Sequence, residues 1–241
     1  MTLELLNAFR NTPPPGWEEG LLHDIWRNLI QADRYQMILD GLWLTLQIAF
    51  LAVIMGTILG FILALLKMSK RKALRAVATT YISTIRGIPL VVQLMLMRFV
   101  ILPSDMPLLW VCAITFGLHS GAYVAEIFRA GILSVDHGQS EAGRSLGLSS
   151  TKTMSLIIFP QAIKNALPAL GNEFIILFKD TSIVGFIGVQ DLTMMGNIIR
   201  SRTFTAFVPL IAVALIYLVV VLTLTWLLGK LERRLRKSDS R

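Results

Sequence analysis

Four polar side chains in one apolar stretch of the sequence, residues 166–188, are the best candidates for chemistry: Asn172, Glu173, Lys179 and Asp180. On a helix they fall within an arc of about 120°, because successive residues are rotated by about 100°. A charge at the centre of a bilayer costs about 2.5–3.5 kcal/mol, so three charges on one arc need a cause. Either Lys179 pairs with an acid, or the arc lines a solvated substrate path whose net negative charge attracts an ammonium group.

An earlier apolar stretch, residues 107–128, has two unlike faces. One face repeats small residues at every fourth position, Gly117, Gly121 and Ala125, which is typical of close helix packing in membranes. His119, Tyr123 and Glu126 fall on roughly the opposite face. A polar stripe in a membrane helix is expected to face the bundle interior or a water-filled path. We therefore assign Tyr123 and Glu126 to the substrate path, whereas His119 alone is better explained as a hydrogen-bonded core histidine.

The longest polar interval between two apolar stretches runs from residue 134 to residue 162. Its regularly spaced features are Glu141, Ala142, Gly147, Ile157 and Pro160. We expect short helices over 135–146 and 151–158, the second capped by the serines that precede it. Pro160 limits how the second helix continues, because it lacks a backbone donor. Two short helices joined at Gly147 make a compact knob that a soluble partner can grip.

The residue groups that most enzymes and metal sites need are missing from the sequence. It has no glycine-rich phosphate loop ending in Lys-Ser or Lys-Thr, no nucleophile–base set and no metal-ligand spacing. Cys112 is the only cysteine, which excludes an intrachain disulfide. We therefore expect no catalysis, metal or cofactor on this chain. If ATP drives the protein, another polypeptide must hydrolyse it.

The elements that position these residues are membrane helices. Of the 241 residues 54% are hydrophobic, a composition typical of polytopic membrane proteins. Five spans are predicted, over residues 41–66, 76–102, 107–128, 166–188 and 204–228. The second is broken at residues 86–89, where Gly and Pro share one turn. A helix over 21–40, with Trp26 as its anchor, is expected to lie in the membrane interface, and residues 189–203 form an outer loop or re-entrant turn.

The formal net charge of +8 is concentrated in residues 67–75 and 230–241. Both clusters flank apolar runs, so the positive-inside bias explains them better than nucleic-acid binding does. The bias places both clusters in the cytoplasm. Five spans then leave the N-terminus outside and put residues 131–165 in the cytoplasm.

Three stretches resemble the permease subunits of ABC importers for polar amino acids. They are residues 81–94, residues 121–132 and the interval 134–162, which is similar to the Glu-Ala-Ala, Gly, Ile, Leu-Pro pattern of the coupling loop. Asn172-Glu173 and the run from Lys179 also resemble the fourth helix of that family. Gly143 and Phe159 depart from the loop pattern, and Gly143 is expected to loosen a short helix by about 1 kcal/mol.

The resemblance implies an all-α integral membrane protein with five transmembrane helices, an N-terminal interfacial helix and a cytoplasmic coupling-helix loop. Its domains are then an extracytoplasmic segment 1–40, a transmembrane domain 41–229 with the coupling loop 131–165, and a basic cytoplasmic tail 230–241. The family's coupling contacts fall on Glu141, Ala142, Gly147, Ile157 and Pro160.

The implied function is ATP-driven import of polar amino acids, such as glutamine, glutamate, arginine or histidine, by alternating access across a bacterial plasma membrane. The implied partners are two ATPase subunits, a second permease chain that is identical or related, an extracytoplasmic solute-binding protein and membrane lipid, with no nucleic acid. The alternatives from other classes are a transporter or channel driven by an ion gradient and a membrane scaffold that docks a soluble partner.

Overall fold

The computed structural model describes residues 12–14 and 16–237, with side chains as far as residue 234. Within these residues the chain is helical and contains no strand. The α-helices are α1 (Gly20–Ile25), α2 (Arg34–Lys67), α3 (Lys72–Gly87), α4 (Leu90–Leu96), α5 (Leu108–Leu133), α6 (His137–Ser145), α7 (Ser150–Thr153), α8 (Phe159–Asp180), α9 (Leu192–Thr203) and α10 (Phe207–Lys237). Turns of π-helix, Trp26–Ile30, Met97–Ile101 and Met154–Ile158, and of 3-10 helix, Gln31–Asp33 and Thr181–Ile187, extend or join them. Residues 1–11 and 238–241 of the predicted terminal segments lie outside the described residues.

Among the described residues, three helical stretches are long and apolar enough to cross a membrane: Gly20–Lys67, which contains α1 and α2, Leu108–Leu133 and Phe207–Arg234. Two helix pairs pass the same test together, Lys72–Gly87 with Leu90–Ile101, bent by 104°, and Ser150–Ile187 with Leu192–Thr203, bent by 50°. Counting each bent pair as one span gives the five that the sequence predicts. The predicted break is a corner of 104° rather than a kink. Pro89 removes a donor and Ile88 is extended (φ −106°, ψ 131°), so α3 stops at Gly87.

The chain forms two compact units. One contains the described residues up to Ile48 and Phe178–Leu222, and the other contains Ala49–Leu177 and the described residues from Thr223 onward. The candidate substrate residues on α5 and the coupling loop both belong to the second unit.

Within the second unit, α2 and α5 approach each other along small residues. The predicted small face of α5 is confirmed, since a Cβ on Gly117 or Gly121 would come within 2.8 Å of an α2 side chain. Gly56 and Gly60 form the matching face of α2, where a Cβ would come within 2.8 Å and 2.5 Å of α5 side chains. Their spacing of four was a signal in the sequence that the prediction missed. This close contact fixes the rotation of α5 relative to α2.

Residues 189–203, predicted to be an outer loop or re-entrant turn, contain the helix α9. Asp191 caps its N-terminus, with carboxylate oxygens that accept hydrogen bonds at 3.0 Å from the backbone N–H groups two and three residues further on. Leu192 and Ile199 are fully buried in a cluster with apolar residues of α2 and α10. An aspartate followed by apolar residues at helical spacing is a helix-start pattern, so the loop prediction gave the polar residues too much weight.

The predicted continuous helix over 21–40 is interrupted before α2. Ala32 and Asp33 adopt left-handed conformations, with φ of 55° and 54°. The prediction that Trp26 is an interfacial anchor is wrong, because its side chain is only 4% exposed and is packed within the protein. Asn28 is also buried, and its amide oxygen accepts hydrogen bonds from two threonine hydroxyls at 2.7 Å. Buried hydrogen bonds of this kind hold the N-terminal segment against the rest of the first unit.

Candidate functional site

A cavity of about 570 Å³ opens in the second unit between α3, α5 and α8. Its lining includes four of the six predicted substrate-path residues, Tyr123, Glu126, Asn172 and Glu173, together with Arg86. The helix α8 presents Asn172 and Glu173 as consecutive residues, and α5 presents Tyr123 and Glu126 one turn apart. The cavity lining therefore combines a guanidinium, two carboxylates, a phenol, the amides of Asn165 and Asn172 and a serine hydroxyl.

Glu173 is the buried carboxylate of this cavity. Its side chain is 6% exposed, and Oε1 accepts a hydrogen bond of 2.9 Å from the hydroxyl of Ser120. Ser120 lies on α5 and is fully buried. A hydroxyl donor compensates part of the desolvation of a carboxylate. Asn172, in contrast, is exposed on the cavity side and leaves its amide available to a ligand.

Arg86 is a cavity residue that the sequence analysis did not single out. It occupies the last turn of α3, and its Cζ lies 5.0 Å from the centroid of the Tyr123 ring, which is the geometry of a cation–π contact. The ring of Tyr123 is in turn 5.0 Å from that of His119. The signal was present in the sequence, because a charged residue at a helix break inside a membrane span is expected to face a cavity.

Glu126 has a different environment from Glu173. It forms ion pairs with Lys67, at the end of α2, and with Arg129, whose Nε lies 2.8 Å from Oε2. Because two cations already neutralise it, this carboxylate is less able to hold a ligand cation. Glu126 therefore lines the cavity and also ties α2 to α5.

Lys179 and Asp180 do not line the cavity, although they share the predicted arc with Asn172 and Glu173. They belong to the first unit, whereas the cavity residues of α8 belong to the second. Among the described residues no short ion pair joins Lys179 to an acidic side chain, although its charge acts on the neighbouring Asp180. A role of these two residues in pairing therefore stays a prediction.

The second site is the knob, formed by α6, α7, the turn between them and the π-turn that follows (residues 137–158). The N-cap of α6 is Asp136, whose Oδ1 accepts a hydrogen bond of 2.6 Å from the backbone N–H of Gly138. Two residues after the last residue of α6 comes Gly147, which has φ of 80°. The backbone N–H of Leu148 then bonds to the carbonyl of Gly143 at 3.1 Å, as in a Schellman motif. Gly147 is therefore the turn residue that the sequence predicts.

The second short helix, predicted over 151–158, does not stop at residue 158, and Pro160 does not prevent it from continuing. The helix α7, capped by Ser149, runs through the π-turn Met154–Ile158 directly into α8. The backbone N–H of Phe159 bonds to the carbonyl of Met154, five residues back. This wide turn accommodates a proline in the next position, because the ordinary helical ladder is already interrupted there. The knob is thus continuous with the helix that carries Asn172 and Glu173.

Gly143 is buried where α6 meets α7. A Cβ at this position would lie 2.7 Å from Cγ2 of Thr153 and 3.0 Å from Cδ1 of Ile157. The expectation that Gly143 simply loosens the loop is therefore incomplete, because the missing side chain permits tight packing between the two arms of the knob. The hydroxyl of Thr153 is buried there without a hydrogen-bond partner.

The outer surface of the knob is exposed to solvent. Glu141 and Ala142 are exposed, and Nδ1 of His137 lies 3.3 Å from the Glu141 carboxylate. Three apolar side chains are exposed nearby: Leu146 (81%), Met154 (38%) and Leu156 (66%). Exposed apolar residues rimmed by polar ones mark interaction surfaces. In the described residues no group of three or more His, Cys, Asp or Glu side chains has a metal-binding arrangement.

The helical spans, the polar cavity between them and the projecting knob define a membrane transport component. Residues 56–237 match the model of a family described as the inner membrane component of binding-protein-dependent transport systems, and the chain belongs to this family. It is therefore a multi-pass inner-membrane component of a transport system.

Several curated relatives are similar over most of the chain. A putative glutamine transport system permease protein, GlnP, from Rickettsia bellii is 39% identical over 82% of this chain and 92% of its own. The arginine transport system permease protein ArtQ from Bacillus subtilis is 40% identical over 84% of this chain and 94% of its own. The glutamine transport system permease protein GlnP from Escherichia coli is 38% identical.

Chains of solved ABC transporters are also similar to this chain. A chain from the crystal structure of an amino acid ABC transporter with histidines has a TM-score of 0.79 and 47% identity, covering 83% of this chain and 94% of that one. A chain of the MetNI methionine ABC transporter in an inward-facing conformation has a TM-score of 0.73 at 18% identity, covering 85% of this chain and 99% of that one, which supports the fold alone.

Proposed function

We propose that this chain is the membrane-spanning permease subunit of an ATP-driven ABC importer that moves polar amino acids into the cytoplasm. Relatives named for glutamine and arginine transport, and a structural relative titled as an amino acid transporter, support this substrate class. The observation that carries the proposal is the cavity, which has a guanidinium at one wall and a buried carboxylate at another.

Such a cavity suits a zwitterion. The Arg86 guanidinium pairs with the α-carboxylate of the ligand, held in place by the Tyr123 ring. Glu173 pairs with an ammonium, and Ser120 orients its carboxylate. Asn172 offers both a donor and an acceptor to either end of the ligand or to its polar side chain. Every amino acid carries both charges, so the α-groups confer general binding and the side chain adds selectivity.

The knob supplies the link to ATP. The exposed apolar side chains of Leu146 and Leu156 fit a groove on a separate ATPase subunit, with Glu141 and Ala142 at the contact and Gly147, Ile157 and Pro160 shaping it. ATP is then a cofactor of the partner, and none is bound by this chain. The complete transporter has two ATPase subunits, a second permease chain, the same or related, and an extracytoplasmic solute-binding protein that delivers the amino acid.

Alternating access follows from the continuity of the chain. Movement of the knob on ATPase closure passes directly into α8 through the π-turn Met154–Ile158, because no flexible loop separates them. A rigid-body shift of α8 carries Asn172 and Glu173 relative to α3 and α5. The ligand site is thereby opened to one side of the membrane at a time.

The proposal includes an orientation and domain boundaries. Residues 1–40 lie outside, residues 41–229 form the transmembrane domain, and the loop 131–165 and tail 230–241 face the cytoplasm, as the basic clusters favour. Ser69→Cys and Ser150→Cys in a Cys112→Ser background should resist impermeant thiol reagents in intact cells. Labelling of Ser150→Cys from outside would overturn the coupling role of the knob.

The function is tested with the complete complex in proteoliposomes. We expect uptake of labelled L-glutamine, L-arginine or L-histidine that requires the solute-binding protein and ATP on the ATPase side. Uptake should persist when ionophores collapse ion gradients. Uptake without ATP that follows an imposed proton or sodium gradient would instead establish a secondary transporter, and an assembled complex that moves no amino acid would leave only a scaffold.

A further inference from the structure

We propose that Gln93 is a positioning residue for the substrate cavity. Its side-chain amide holds the corner between α3 and α4, and in this way it fixes Arg86 at the cavity wall. The inference rests on the proposed function, because it takes Arg86 as the partner of the ligand carboxylate. Gln93 itself lies outside the cavity lining.

The corner leaves backbone carbonyls at the end of α3 that no helical N–H can reach, because α3 stops before Pro89. The amide nitrogen of Gln93 donates to two of them, the carbonyl of Ile85 at 2.7 Å and the carbonyl of Ile88 at 2.8 Å. Gln93 is 7% exposed, so both amide hydrogens are used inside the protein. The Gln93 side chain thus joins α4 to the end of α3.

The amide oxygen of Gln93 connects the corner to α5. Nδ1 of His119 lies 3.3 Å from it. Since the amide nitrogen is engaged by two carbonyls, the oxygen is the acceptor and His119 donates from Nδ1. The ring of His119 packs on Tyr123, and Tyr123 packs on Arg86, which directly follows Ile85. Gln93 therefore contacts the last turn of α3 twice, directly at the Ile85 carbonyl and indirectly through His119, Tyr123 and Arg86.

Apolar packing holds the two helices on either side of the corner, where Ile82 of α3 and Leu94 of α4 are buried. At the corner itself a partly open void of about 140 Å³ borders Ile85, Gln93, Thr115 and other mainly apolar side chains of the second unit. On that side no packed side chain resists a change in the bend. The two amide hydrogen bonds therefore add a directional restraint on where α3 ends, and so on where the Arg86 guanidinium sits.

The test compares uptake kinetics of L-arginine, L-glutamine and L-histidine by the reconstituted complex with Gln93→Leu, Gln93→Glu and Arg86→Gln. Gln93→Leu removes both donors, and Gln93→Glu keeps the shape but cannot donate to carbonyls when ionised. Both should raise the apparent KM roughly tenfold, with a much smaller change in the maximal rate. Thr115→Val is the matched control, since Thr115 lines the same void but bonds only to its own helix at Val111; its KM should stay at the wild-type value.

A double variant separates positioning from simple stability. Once Arg86→Gln has removed the guanidinium, adding Gln93→Leu should raise KM little further, because the two residues act through one contact. Equal and independent losses, an unchanged KM in Gln93→Leu, or failure of both Gln93 variants to assemble would overturn the inference. If the wild-type complex imports none of the amino acids, the proposed function fails as well, which is a different result from wild-type import with an insensitive Gln93.

Discussion

The knob and the cavity lie in the same unit but are held in different ways. The knob takes its shape from its backbone, with Gly147 in a left-handed conformation at its centre. The cavity depends on side-chain contacts, such as the hydroxyl of Ser120 on Glu173 and the ring of Tyr123 beside Arg86. Backbone geometry is set by residue types at short spacing, whereas the Ser120–Glu173 contact joins residues 53 positions apart. The comparison predicts that the two sites fail differently when they are mutated.

Replacing Gly147 by valine should have the largest effect. A Cβ there meets nothing within 4 Å, so the effect is purely conformational. Holding a β-branched residue at φ of 80° costs on the order of 1–3 kcal/mol. We expect Gly147→Val to abolish uptake, either by uncoupling ATP hydrolysis or by detaching the ATPase, with the permease still folded. The measurements are substrate-stimulated ATPase activity, uptake and co-purification.

Gly147→Asn is the control for this prediction, because asparagine tolerates the left-handed conformation better than valine does. It should retain most of the uptake. Wild-type ATPase stimulation and uptake in Gly147→Val would show that the turn is not needed for coupling.

Glu173→Gln should have the next largest effect, and in the cavity the failure should be one of affinity. The change keeps the size and removes the charge, so a charge-assisted bond worth about 1.5–3 kcal/mol is lost, equivalent to a ten- to hundredfold fall in affinity. We expect uptake to fall while the assembled complex still hydrolyses ATP. Failure to assemble would make Glu173 a structural residue, and unchanged uptake would place selectivity in the external binding protein.

The same contrast explains how far the sequence alone could lead. The sequence predicts Gly147 correctly, because a turn glycine leaves a local pattern. Ser120 could not be recognised as the partner of Glu173, because that contact arises only when α5 and α8 come together. Arg86 was missed although its charge at a helix break was visible in the sequence. The five spans could be predicted from hydropathy, but the helix α9 could not be recognised without weighing its aspartate cap against its polar residues. Pro160 was expected to limit the helix, since proline lacks a backbone donor. The π-turn that lets the helix continue through it has no signal in the sequence.

Gly143→Ala should have a moderate effect on the stability of the knob. Whether the variant is more or less stable decides between a loosening role and a packing role for Gly143. If Gly143 only loosens α6, alanine should stabilise the knob by about 1 kcal/mol. The close approach of Thr153 predicts the opposite, a cost of about 1–3 kcal/mol from overpacking. Thr153→Ser removes the Cγ2 that a new Cβ would meet, so the double variant should recover. Thermal stability of the purified complex and its ratio of uptake to hydrolysis measure both outcomes.

Ser120→Ala should have the smallest effect of the cavity changes. The variant removes the hydroxyl that donates to Glu173 at 2.9 Å but leaves the carboxylate and its charge in place. Since Ser120 is fully buried, water cannot easily replace the lost donor. We expect roughly a threefold rise in apparent KM, well below the effect of Glu173→Gln, because only the orientation of the carboxylate is weakened.

Thr115→Val is again the control, since that buried hydroxyl on the same helix bonds to its own backbone. If Ser120→Ala and Thr115→Val alter uptake equally, Ser120 acts through the packing of α5. If Ser120→Ala instead matches Glu173→Gln, orientation and not charge is what the cavity requires, and the electrostatic account of ligand binding is wrong.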